Sequence, residues 1–392
     1  MKNLLLSVLL VTSSLSAIGL SEIINISLTN SPSLESINAK IKANEHASDV
    51  ANQFSNPELS LTKNTIDSSQ AMSQTVLTIK QKLPYYGKRD SKQAVTFAQD
   101  ELLKEQLNAA KATMVQKIKT EVYTIWELRE LYKIINEYIT LTKQNIELYE
   151  SYTSVSDNEH MGIMKAELSL ADLEIQKSVL NAKIYASYAK LSYLAAFDVK
   201  DIEINLAIGG KPQLEDLQPT LVNNPEIRIK IKELKKENAK IEVADINNYP
   251  DLNLIAGYAY RENFDNYFNF GLALSIPMYG TEDAVEEEVR AAALVVVSQK
   301  EDTQIAISSE LKIYYAQMLS SYQVYHIIQD DALPQIAHMF ELSNSAISTG
   351  GDLFKYIDVL FDKLALEQKS INAVSNYNKA QAQISQLAGE IK

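Results

Sequence analysis

The stretch LPYYGKRD, residues 83–90, marks a change of period in the chain. Its Gly87-Lys88 step invites a phosphate-loop reading. That loop needs a glycine five residues earlier and a Ser or Thr directly after, so that successive N–H groups wrap a phosphate. Lys82 and Arg89 stand at those two places, and the reading fails. Apolar residues alternate before the stretch (Leu77, Ile79, Leu83), whereas beyond Asp90 they recur every three or four positions. LPYYGKRD is therefore an elbow between a strand and a helix.

The elbow occurs twice. A shift of 193 residues lays Pro32 on Pro225, Pro57 on Pro250, Pro84 on Pro277, Tyr86 on Tyr279 and Gly87 on Gly280, without a gap. Around these points NPELSL (56–61) falls on YPDLNL (249–254) and LPYYG (83–87) on IPMYG (276–280). The chain has only 11 glycines and 9 prolines in 392 residues, so this coincidence indicates a duplicated unit. The first repeat runs over 21–197 and the second over 223–392. Residues 198–222, with Gly209-Gly210, Pro212 and Pro219, read as the linker between them.

Each repeat has the same order. A helix (about 33–53 and 226–247) stops before an X-Pro step, because the residue before proline is driven out of the helical region. Strands follow at about 57–64 and 73–83, and at about 251–260 and 267–277. In the second copy Leu252, Leu254, Tyr258 and Tyr260 share one face, and Phe268, Phe270, Leu272, Leu274 and Ile276 alternate with small or polar residues. Such alternation suits a strand between hydrocarbon and a wet interior, and it also suits a half-buried hairpin in a soluble sheet. Helical segments of more than sixty residues come next, each on the order of 90 Å long at 1.5 Å per residue. Polar turns (154–162 and 348–352) reverse them, giving coiled-coil hairpins at about 90–195 and 281–389. The fold class is mainly α with a small β part, in two tandem repeats of helix, β-hairpin, long helix and helix. Pro334 is expected to bend the second long segment, where the first copy has Leu141.

Composition narrows the function. A net charge of −13 argues against a nucleic-acid partner. There is no cysteine, which excludes disulfides, thiolate catalysis and a lipidated N-terminal Cys. The four histidines, His46, His160, His326 and His338, are scattered, and no catalytic, cofactor or metal constellation stands out. MKNLLLSVLLVTSSLSAIGLSE has one lysine, an apolar run from Leu4 to Val11 and small residues at Ala17 to Leu20. This is the layout of a signal peptide over 1–20. No later window offers the roughly 20 apolar residues of a membrane-spanning helix, so any crossing must be by β-strands.

Pro84 and Pro277 cannot donate to a ladder and end their strands. Gly87 and Gly280 permit the turn. Tyr86 and Tyr279 suit a membrane–water boundary. Lys88 and Arg89, absent from the second copy, are expected to begin the helix on the aqueous side.

With the signal peptide, the duplicated unit, QKLPYYGKRD, LSIPMYG and STGGDLFKYIDVL (348–360), the chain resembles the TolC-like outer-membrane efflux proteins. Its Gly-Lys-Arg elbow is similar to that of members serving cation and heavy-metal pumps. The resemblance implies a homotrimer whose strands close a 12-stranded barrel in outer-membrane lipid, continued by a periplasmic α-helical barrel. It implies an exit duct, not an enzyme, with a periplasmic adaptor and an inner-membrane transporter as partners. A polypeptide-secretion duct, or a soluble periplasmic coiled-coil scaffold, are the alternatives. It implies a gate near the second tip among Asp352, Asp358 and Asp362, with Tyr356 as an interhelical packer or latch. A ring of three carboxylates would favour cations. Asp352 is equally placed to cap the following helix. Asp157, Glu159, Gly350 and Gly351 are the expected adaptor-docking tips.

Overall fold

The computed structural model describes residues 17–65, 70, 72–152, 157–347 and 353–391. A short strand β1 (Ile18–Gly19) leads into α1 (Leu20–Asn30) and α2 (Pro32–Ala51). Strands β2 (Glu58–Lys63) and β3 (Gln74–Leu83) precede the long helices α3 (Lys88–Tyr152) and α4 (Asp157–Ala195). The linker holds β4 (Ile202–Glu203) and the single turn α5 (Leu214–Leu217). The second repeat supplies α6 (Pro225–Asn247), β5 (Asp251–Arg261), β6 (Tyr267–Ser275), α7 (Thr281–His326), α8 (Leu333–Ile347) and α9 (Leu353–Leu387).

Between α7 and α8 the ladder widens into a π-turn over Ile327–Ala332, in which the Leu333 N–H donates to the carbonyl of Ile328. Pro334 explains it. Its nitrogen cannot donate to the Asp330 carbonyl, and its ring would collide with that group, so the preceding turn opens by one residue. In the first repeat α3 passes Leu141 without a break.

Contacts divide the chain into two units. The first comprises residues 1–34, 110–224 and 307–392. It is helical and holds two cores. One packs Ile135, Leu173, Leu353, Tyr356, Ile357 and Leu360 between α3, α4 and α9. The other gathers Ile23, Ile24, Ile118, Val122, Leu191 and Ile202, with β1 lying parallel to β4. The second unit comprises residues 35–109 and 225–306 and contains the four-stranded sheet, in the order β2-β3-β5-β6 with every pair antiparallel. Within it Lys232 and Lys235 of α6 both bind the Glu101 carboxylate, at 3.0 and 2.8 Å, and hold its pKa below the usual carboxylate range. Among the described residues no helix is long and apolar enough to cross a membrane, and no three His, Asp or Glu side chains could share a metal ion.

Candidate functional site

The sheet of the second unit separates two chemistries. Its register puts Leu59 opposite Ile79, Ile79 opposite Ala256, and Ala256 opposite Phe270. One row up, Leu61, Leu77, Tyr258 and Phe268 align across all four strands. Since side chains alternate with a period of two, these rows belong to one face. The other face carries Ser60, Thr78, Gly257 and Asn269 in a single row, with Glu58, Lys80 and Asn253 nearby. Asn269 lies directly over Gly257, where an added Cβ would stand 2.1 Å from its Oδ1, so a larger residue there would have to displace the Asn269 amide. The apolar face is uncovered: Leu59, Leu61, Phe268, Phe270 and Leu272 are all more than 70 % exposed. Strands β3, β5 and β6 contain 10, 11 and 9 residues, within the 9–11 that a tilted strand uses to cross a bilayer. Tyr258 packs on Phe268 at 5.0 Å near one end of this face.

At the other end stand the elbows. Gly87 turns with φ +88°, and a Cβ there would also meet Ile246 at 2.9 Å. Lys88 does not face water. It is 6 % exposed, and its Nζ donates to the Tyr249 carbonyl at 2.6 Å and to Asp251 Oδ1 at 2.8 Å. The Tyr85 N–H donates to the same Oδ1 at 3.0 Å, Lys82 approaches Oδ2 at 2.9 Å, and the rings of Tyr85 and Tyr249 stack at 4.7 Å. Lys88 thus begins α3 inside a largely buried ion pair. Its stem starts α3 at the sheet margin, where the Asp251 carboxylate at the start of β5 offsets the cost of its burial. Arg89 does reach the surface side, donating to the Asn52 carbonyl at 2.9 Å and stacking 3.9 Å over Phe54. The second elbow has no such lock. Gly280 turns with φ +76° into open space, Pro277 precedes it, and Tyr279 is 89 % exposed, as is Tyr86 in the first copy.

In the first unit α9 carries the acidic residues of the second tip. Tyr356 is 1 % exposed; its hydroxyl accepts from Asn145 Nδ2 at 3.0 Å and its ring lies 5.6 Å from Phe340. Burial raises its pKa above the usual phenol range, with the Asn145 hydrogen bond opposing. Asp358 and Asp362 are exposed and one turn apart on α9. Asp358 is bound by Lys165 of α4, whose ammonium also sits 3.5 Å over the Phe354 ring.

No family model matches the sequence, and neither does any curated protein. Solved structures do match. CusC, described in work on the conformational changes that accompany its folding and transmembrane channel formation, superposes with a TM-score of 0.80 at 14% identity, over 94% of this chain and 91% of that one. The open state of the Neisseria gonorrhoeae MtrE outer membrane channel gives 0.79 at 13% identity, over 94% and 88%. The outer membrane protein VceC of Vibrio cholerae gives 0.78 at 14% identity, over 94% and 96%. The chain has the TolC-like outer-membrane channel fold.

In this TolC-like fold the elbow residues Pro84, Tyr86, Gly87, Lys88 and Arg89 gather at one margin of the sheet, and Asp358, Asp362 and Tyr356 lie within two turns of α9. Gly350, Gly351 and Asp352 lie outside the described residues, as do the side chains of Asp157 and Glu159. Sequence reading missed Asp251, Lys165 and Asn145. A signal existed for the first: a lysine present in only one elbow needs a partner there, and YPDLNL offers one acid. Lys165 and Asn145 carried none, since both are polar residues in long helices.

Proposed function

We propose that the protein is an outer-membrane exit duct of a tripartite efflux system, working as a homotrimer with a periplasmic adaptor and an inner-membrane transporter and performing no catalysis. The observation that carries this reading is the sheet: one mostly apolar face, one more polar face, and two open edges at β2 and β6. Hydrocarbon does not tolerate unpaired strand edges, so the sheet must close on further copies. Three four-stranded sheets supply twelve strands, above the roughly eight at which such barrels begin. Exposed apolar residues of α4, Met161, Met164, Leu168, Ile175 and Val179, recur at helical spacing and would be covered in the same assembly.

The repeat supplies the register of closure. β3 pairs with β5 so that Lys82 opposes Asn253 and Gln81 opposes Leu254. Shifting both strands by one repeat makes β6 pair with β2 of the next copy, Ser275 against Ser60 and Leu274 against Leu61. Both pairs keep the polar and apolar faces in phase. The chain has no cysteine, so Ser60→Cys/Ser275→Cys is a clean probe. Oxidation is expected to yield covalent trimers from detergent-extracted envelopes, while Ser60→Cys/Ala273→Cys, out of register, yields few. A monomeric soluble product from either would sink the duct reading.

In the trimer Asp358 and Asp362 would form rings of carboxylates that constrict and select. Lys165 neutralises one of them within the chain, which leaves Asp362 as the freer charge. Asp362→Asn is expected to lower cation-over-anion preference severalfold in planar-bilayer reversal potentials, and Lys165→Met to raise it. Unchanged selectivity in both would remove the gate from this turn.

A further inference from the structure

We infer that an export peptidase cuts the bond between Ala17 and Ile18, and that the ammonium freed on Ile18 is seated against Asp201 in the folded protein. This rests on the reading of the N-terminus as an export leader. The pattern of small residues leaves the position open: Ala17-Ile18-Gly19, small at both ends, invites a cut after Gly19, and the end of the small-residue region a cut after Leu20. A cut after Ala17 has Leu15 two residues before that alanine, and the three starts differ in what the folded chain keeps.

Ile18 and Gly19 form β1 in register with Ile202 and Glu203, and the Ile18 N–H donates to the Asp201 carbonyl at 3.2 Å. Ile18 and Leu20 pack against the core that holds the fully buried Ile23. A cut after Gly19 or Leu20 removes this strand. It also places a positive charge on the first turn of α1, whose N-cap is Gly19, and there the helix dipole repels cations. A cut after Ala17 keeps β1 and sets the charge two residues ahead of the helix. Hydrolysis adds OH to the Ala17 carbonyl carbon and a hydrogen to the Ile18 nitrogen, which takes up a further proton at neutral pH.

The surroundings suit that charge. Ala17 borders a cavity of about 220 Å³ that is also lined by Trp126, Arg129, Glu130, Lys133, Asp201 and Glu203. Three carboxylates face two cations there, so an added ammonium balances the set. Asp201 is already held in place: its Oδ1 accepts from Arg129 at 3.0 Å, from the Ile202 N–H at 2.9 Å and from the Tyr188 hydroxyl at 3.3 Å. Its backbone carbonyl is therefore a fixed acceptor for the new terminus.

The test is the first residue of the protein made with its own leader in a Gram-negative host, read by N-terminal sequencing and intact mass. Ile18 is expected. An envelope protein that starts at Leu20, Ser21 or any other residue downstream of Met1 overturns the assignment and leaves export standing. A chain that keeps Met1 and stays in the cytoplasm overturns the leader reading as well. Seating is tested by joining an unrelated cleavable leader directly to Ile18 or to Ser21. The Ser21 start should melt a few degrees lower. Equal melting temperatures would show that Ile18 is not held.

Discussion

Lys88→Met lowers the stability of the detergent-extracted protein by about 3 kcal/mol, read from thermal unfolding, whereas Lys82→Met costs less than about 1 kcal/mol. Both lysines touch Asp251, and burial separates them. The Lys88 side chain is 8% exposed and that of Asp251 13%, but Lys82 is 52% exposed. Removing an exposed partner lets water take its place. Removing the buried one leaves a largely buried carboxylate with only the exposed Lys82 and the Tyr85 N–H, and also takes from the Tyr249 carbonyl the ammonium it accepts from. Lys88→Met/Asp251→Leu should therefore recover most of the loss, since replacing a whole buried pair by apolar groups is close to neutral. If the single variants cost the same, the elbow is not held by this pair.

Phe270→Lys has the second large effect, and its sign depends on the surroundings of the sheet. At the middle of a bilayer-facing strand a lysine costs roughly 2–4 kcal/mol, so the variant should fail to reach the outer membrane or melt well below wild type. In water the same change would be harmless, because Phe270 is 83% exposed on the chain. Asn269→Lys, one residue away on the polar face, is the control and should assemble normally. A Phe270→Lys protein that is stable and needs no detergent would favour a soluble scaffold.

Much of this was readable in the residues. Proline and glycine act locally, through a fixed φ, a missing N–H or freedom at positive φ, so Pro84, Gly87, Pro277 and Gly280 marked both elbows in the one-dimensional pattern. Alternation along β5 and β6 was also local: it set Leu254 and Tyr258 on one face of β5, and Phe270 and Leu272 on one face of β6, before any pairing was known. Pro334 was expected to bend its helix, and the structure answers with a π-turn at Ile327–Ala332.

The site was less legible. Asp358 and Tyr356 lie two residues apart, yet one is exposed and the other is among the most buried side chains of the protein. No local rule separates them, because exposure in a long helix depends on which side neighbouring helices cover. Asn145 and Lys165, from different helices, decide what Tyr356 and Asp358 bind.

By itself the sequence determined the duplication, the order of the long helices and the four sheet strands, the two elbows and the alternating chemistry of the strands. Each of these is written in spacings of a few residues, or in a repeat that can be laid on itself. The tertiary structure alone decided that Lys88 is buried against Asp251, that Lys165 claims Asp358, and that Ile18 lies beside Asp201. These pairs are separated by many tens of residues in the chain, and charge or hydrogen bonding between them depends on distances of about 3 Å that only packing sets.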